Sequence, residues 1–195
     1  MPLQVGSAPL VLASASPRRL ALLAQIGVVP DKIAASGIDE TPLHDEIPRL
    51  YVQRIARAKA ASVAEPGVFT LAADTVVAVG RRILPKPDDP EGVRACLALL
   101  SGRRHQVLTA VVLVAPGGEL SARLSTTAVA FARLTSAQCD AYAECGEGVG
   151  KAGGYAIQGR AAAFTRLLSG SYSGVVGLPL FEVAQLLRGR GYPVP

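Results

Sequence analysis

The sequence predicts an α/β fold built on a mixed β-sheet, and three observations lead there. Strand-like and helix-like segments alternate over the first hundred residues. Two long β segments then follow as a hairpin, and a helical pattern closes the chain. Half of the 195 residues are apolar and 18% are charged, which argues for a sizeable core, in one large domain over 1–195 or in two small lobes, and against disorder.

Taken in order, Pro9–Ser14 reads as a short buried strand, and Ser16 before Pro17 as the N-cap of a helix to about Ile26, stopped by Gly27. Lys32–Ser36 reads as a second strand. Pro48 opens a longer helix to about Ala64, ended by Pro66-Gly67. Val68–Val79 is the strongest strand signal, with a turn at 80–82. Asp88-Asp89-Pro90 caps a helix to Leu100, and Gln106–Ala115 and Leu120–Phe131 form a hairpin about Pro116-Gly117-Gly118. Thr135 starts a helix towards Glu144, a Gly-rich loop leads to Tyr155, a hairpin turns at 169–171, and Leu178–Arg188 is the closing helix.

Composition removes several function classes. No apolar stretch reaches the roughly 20 residues of a membrane span, and no charged segment followed by an apolar one opens the chain as a leader would. Cys96, Cys139 and Cys145 lack metal-ligand spacing and read as small buried hydrophobes of a reducing, cytoplasmic compartment. Net charge is +5, yet no Lys/Arg run exceeds two residues and aromatics are 5%. That favours a small polyphosphate over an extended nucleic-acid surface. Gly148–Gly153 matches G-x-G-x-x-G but follows a helix and leads towards a strand, the reverse of a dinucleotide fingerprint. His44 and His105 have no partner at informative spacing.

Four features break the pattern. Asp74 interrupts a stretch that otherwise reads as a central strand, where a carboxylate needs a cation or strong donors, unless a bulge exposes it. Lys59 falls inside the apolar stripe of Val52, Ile55, Ala56 and Val63, either snorkelling from its edge or reaching an anionic site. Lys86 is held between Pro85 and Pro87 on a stiff, extended segment. Ser14, Ser16, Arg18 and Arg19 cluster between a strand and a helix N-terminus, a place suited to phosphate.

The combination resembles the Maf family of nucleotide pyrophosphatases. The matching stretches are Leu-Ala-Ser-Ala-Ser-Pro-Arg-Arg (12–19), Ile-Asp-Glu (38–40), Tyr-Val-Gln-Arg-Ile-Ala-Arg-Ala-Lys-Ala (51–60) and Ala-Ala-Asp-Thr-Val-Val (72–77). They continue with Leu-Pro-Lys-Pro (84–87), Ser-Gly-Arg-Arg-His-Gln-Val-Leu-Thr-Ala-Val (101–111), Lys-Ala-Gly-Gly-Tyr-Ala-Ile-Gln-Gly (151–159) and Val-Val-Gly-Leu-Pro-Leu (175–180). The resemblance implies two lobes on a mixed sheet with flanking helices and a deep central cleft, as in Maf and ITPase-like proteins, and a homodimer. It implies cleavage of nucleoside triphosphates between the α and β phosphates, supported by a divalent cation such as Mg²⁺ or Mn²⁺. Residue by residue, Asp74 matches the general base and a metal-binding carboxylate, and Glu40 a second metal-side acid. Lys59, Lys86, Arg18 and Arg19 match the basic groups about the triphosphate, and Ser14 and Gln158 match polar contacts.

Within that family the dTTP/UTP-directed branch carries Arg, Thr and Gln at three positions where the 7-methyl-GTP branch carries Trp, Gln and Glu. Arg18, Thr75 and Gln158 stand on the pyrimidine side. The resemblance therefore implies a dTTP/UTP pyrophosphatase. Two other readings stay open on sequence: a 7-methyl-GTP pyrophosphatase, and a nucleotide-binding regulator of cell division without turnover. Pro85 departs from the family's habit and stiffens the segment carrying Lys86.

Overall fold

Leu10, Val11 and Leu12 are all buried, as befits a strand paired on both edges. This strand, β1 (Leu10–Leu12), lies parallel to β2 (Lys32–Ile33) on one side and to β3 (Phe69–Val79) on the other. A computed structural model describes residues 8–195. The opening seven residues, where the expected domain begins and on which the leader question turns, lie outside the described residues.

The remaining pairings are antiparallel. β3 is followed by β4 (Arg82–Leu84), β5 (Arg104–Val114), β6 (Leu120–Phe131) and β7 (Thr165–Ser169). The order across the sheet is β2-β1-β3-β5-β6-β7, with β4 paired to β3 on the edge that β1 also uses. The sheet is thus mixed, as the sequence predicts.

The helices begin where the sequence supplies caps. α1 (Pro17–Gln25) and α2 (Pro48–Val63) each carry Pro in the first turn. Asp89 accepts from the Gly92 amide to cap α3 (Pro90–Leu100), and Thr135 and Gln138 form a capping box on α4 (Ser136–Glu144). α1 ends on Gly27 with φ 68°, the left-handed conformation that glycine accepts without strain.

Three sequence expectations need correcting. The second strand stops at Ile33, because only Val11 and Leu12 are available to pair with it. The turn at 80–82 belongs to a hairpin whose return strand, β4, is too short to show a period. No hairpin turns at 169–171: β7 ends at Ser169, and the Ser171 hydroxyl caps a short helix, α5 (Tyr172–Val176), by accepting from the Gly174 amide. The closing helix α6 (Leu180–Gly189) follows.

Packing explains why the molecule has two lobes. One sheet face is covered by α2, whose Val52, Ile55, Ala56 and Ala60 meet Ala72, Val76, Leu108, Ala110 and Val112. On the opposite face one core gathers Leu10, Leu12, Leu71, Ala73 and Val111 with α1 and α6. A second gathers Val77, Val107, Val129 and Phe131 with α3 and α4. Between them runs a polar row, Thr75–Thr109–Ser125, set side by side by the strand registers. An apolar face interrupted by hydroxyls cannot form one continuous core, so it divides.

Candidate active site

The cleft opens at a gap in the β3 edge. β1 reaches only as far as Leu12 opposite Leu71, with Ala13 donating to the Leu71 carbonyl at 2.8 Å. β4 joins the same edge at Val77 opposite Leu84. Among the described residues, 73–76 therefore have no strand partner on that side. Side chains from both faces of β3 reach this gap: Asp74 from the face covered by α2 and Thr75 from the other.

Asp74 stays inside an unbroken ladder, opposite Ala110, and is 1% exposed, so no bulge carries it to solvent. Lys59, 6% exposed on the inner stripe of α2, does not snorkel outward; its Nζ donates to Asp74 Oδ1 at 2.8 Å and pairs with Glu40 Oε1 at 2.6 Å. Lys86 Nζ donates to Glu40 Oε2 at 2.7 Å and lies 3.9 Å from Asp74 Oδ1. Asp74 Oδ2 is buried without a hydrogen-bond partner. Desolving each ion costs several kcal/mol, and apolar side chains would hold α2 on β3 at least as well, so packing alone does not account for this cluster.

Loop and helix place Glu40. Tyr51 on α2 donates its hydroxyl to the Glu40 carbonyl at 2.7 Å. Burial, then the charges of Asp74 and Glu40, push that phenol up to about 12, so it remains a donor. Partial burial alone would raise the Glu40 carboxyl, but hydrogen bonds and charge from Lys59 and Lys86 outweigh it and hold Glu40 below its usual range.

The second wall comes from the start of α1. Arg19 Nε donates to the Gly177 carbonyl at 2.8 Å and its Nη1 to Ser14 Oγ at 3.1 Å, which fixes the guanidinium. Ser14 is buried and also accepts from the Ser16 amide, so its hydroxyl holds Arg19, while Ser16, free of any capping bond, lines the cleft. Arg18 lies beside them, and burial lowers both guanidiniums from their ordinary value.

Opposite stand Gln158, exposed at the mouth, and Lys151. The Lys151 loop lies close against β3 because Gly153, at φ 69°, donates to the Pro85 carbonyl and leaves no room for a side chain: a Cβ would sit 2.8 Å from Val77 Cβ. Burial and then Arg18 lower the Lys151 ammonium.

The structure thus brings Glu40, Lys59, Asp74 and Lys86 into one cluster and sets Arg18, Arg19, Thr75 and Gln158 around the same cleft. Five cationic side chains face two carboxylates, an arrangement suited to a polyanion. Sequence reasoning did not assign Lys151, Tyr51 or Thr109. Thr109 had a signal, since it interrupts an apolar strand just as Asp74 does.

Comparison with known proteins places this cleft in context. Residues 9–190 match the family model described as Maf-like protein. The chain is 60% identical over 189 residues to the dTTP/UTP pyrophosphatase of Rhodospirillum rubrum, covering 96% of this chain and 90% of that protein. It is 58% identical over 185 residues to the dTTP/UTP pyrophosphatase of Caulobacter vibrioides, covering 94% and 96%. Among solved structures, a nucleoside-triphosphatase / dITP/XTP pyrophosphatase from Mycobacterium abscessus superposes with a TM-score of 0.44 at 21% identity, over 65% of this chain and 75% of that one.

Proposed function

Since the chain belongs to the Maf family, we propose that it hydrolyses nucleoside triphosphates, dTTP and UTP foremost, to the monophosphate and pyrophosphate. The carrying observation is the buried Lys59–Asp74 pair at the β3 gap, joined by Glu40 and Lys86 and faced by Arg18, Arg19 and Lys151. The names of the relatives at 58–60% identity support the choice of nucleotide.

In this reading the basic groups divide the triphosphate between them. Arg18 and Arg19 beside the N-terminus of α1, with Lys151 opposite, hold phosphate oxygens. Lys59 and Lys86 neutralise charge that grows on the equatorial and leaving oxygens. Asp74 accepts the proton of the attacking water or orients it. Gln158 and Thr75 meet the base, and Ser14 acts by holding Arg19.

The residues present also fit a divalent cation. Asp74 Oδ2 is an orphaned buried carboxylate oxygen, and Glu40 offers a second carboxylate within the same cluster. Among the described residues no three His, Cys, Asp or Glu side chains gather. Glu40 and Asp74 would therefore hold the ion together with phosphate oxygens and water, the oxygen-rich, partly hydrated set that Mg²⁺ or Mn²⁺ accepts. When bound, the cation supplies charge neutralisation and lowers the pKa of water.

A homodimer and a cytoplasmic location belong to the same proposal; no helix among the described residues is long and apolar enough to cross a membrane. Hydrolysis in ¹⁸O-water tests the bond cleaved. Label recovered in UMP means attack at the α phosphate; formation of UDP and labelled orthophosphate would refute the assignment.

A further inference from the structure

We propose that Thr109 is a positioning residue that locks the Thr75 hydroxyl as a hydrogen-bond acceptor, and that this polarity selects pyrimidines bearing an N3–H. The proposal rests on the pyrimidine nucleotide reading above and adds to it the atom that separates uracil and thymine from cytosine.

The polarity follows from counting protons. Thr109 is 1% exposed, and its Oγ1 lies 2.7 Å from the Gly174 carbonyl oxygen and 3.0 Å from Thr75 Oγ1. A hydroxyl has one proton and a carbonyl can only accept, so the Thr109 proton goes to Gly174. Thr109 Oγ1 can then only accept from Thr75. The single Thr75 proton is thereby committed, and lone pairs are all that Thr75 can turn to the cleft it lines.

The lock is anchored on both sides. Thr75 and Thr109 face each other in the β3–β5 register, and a β-branched side chain has few rotamers to choose from. Gly174 is held in α5 by the hydrogen bond that its backbone N–H donates to Ser171 Oγ, and the Ser171 amide donates to Thr127 Oγ1 on β6 at 2.9 Å. The chain from β6 through α5 back to β5 and β3 leaves little freedom for the carbonyl that sets the direction.

This polarity decides what Gln158 cannot. A Gln amide carries both donor and acceptor and turns to suit either pyrimidine edge. Uracil and thymine present a donor at N3, whereas cytosine presents a lone pair there. An acceptor that cannot reverse pairs with the first and repels the second. A site built to receive an N–H penalises a base lacking it, and about tenfold or more is the scale expected for one such bond.

The test compares kcat/KM for UTP, CTP and N3-methyl-UTP in the wild type, Thr109→Val and Thr109→Ser. In the wild type UTP should exceed CTP and N3-methyl-UTP by about tenfold or more. Thr109→Val frees the Thr75 proton, so the UTP/CTP ratio should fall by about tenfold; Thr109→Ser, which keeps the hydroxyl, should restore it. A Thr109→Val enzyme that slows equally on UTP and CTP has lost only packing, and that overturns the proposal. Should Thr109→Val fail to fold, the wild type decides: equal turnover of UTP and CTP overturns the lock. Failure of the wild type on every pyrimidine nucleotide would instead remove the functional reading on which it rests.

Discussion

Lys59 on α2 and Asp74 on β3 meet at 2.8 Å with 6% and 1% of their surfaces exposed, and the pair sits where the β3 edge has lost one strand neighbour and not yet gained the next. That position makes the pair both a tie between helix and sheet and a charged floor to the cleft. The two roles are separable. Removing one partner strands a buried charge, whereas removing both restores an apolar contact.

Lys59→Met should therefore destabilise the fold by about 3 kcal/mol, because Asp74 is left buried without its principal donor. Lys59→Met with Asp74→Leu should recover most of that loss, while turnover stays at least about a hundredfold down in both. Urea unfolding and steady-state kinetics on the same preparations check the split. Parallel recovery of activity and stability would mean that the pair is structural.

Exchange of Arg18, Thr75 and Gln158 for Trp, Gln and Glu should lower kcat/KM for dTTP by roughly a hundredfold. These three line one cleft although 57 and 83 residues of chain separate them. The check is a substrate comparison of wild type and triple variant; unchanged kinetics would remove the specificity assignment.

His105 provides a pH dependence remote from the chemistry. Burial pushes its imidazole down to about 4, which the nearby Arg103 backbone opposes only in part, and its Nε2 lies 2.9 Å from the Tyr155 hydroxyl. The folded state thus binds the proton more weakly than the unfolded state, whose histidine titrates near 6.5. Its contribution is fully present above pH 6.5 and is lost as pH falls from there towards 4, by about 3 kcal/mol in all. Urea unfolding at pH 7, 5.5 and 4.5 should show this slope in the wild type and a shallower one in His105→Phe.

Much of the fold was legible because its signals are local. Pro17, Pro48 and Pro90 mark helix starts, Asp89 and Thr135 cap with their side chains, and the β5–β6 hairpin carries its own turn. The misread segments depend on tertiary partners. β4 exists because β3 offers it an edge, and the 169–171 turn leads into α5 because Thr127 and Thr109 receive that helix. Of the site, Asp74 and Lys59 stood out as charges where apolar residues belong. The cross-strand partnership of Thr75 with Thr109 depends on register, which one strand read alone does not contain.

The most direct test of the central claim is pyrophosphate release by purified protein with Mg²⁺ or Mn²⁺, on dTTP, UTP, CTP, dATP, GTP and 7-methyl-GTP, with Asp74→Asn alongside. Release from dTTP and UTP that falls by about a thousandfold in Asp74→Asn is the expected result. Release from 7-methyl-GTP alone would keep the chemistry and contradict the choice of nucleotide. Undiminished release by Asp74→Asn, or none from any nucleotide by the wild type, would contradict the claim that this carboxylate and its lysines form a hydrolytic site.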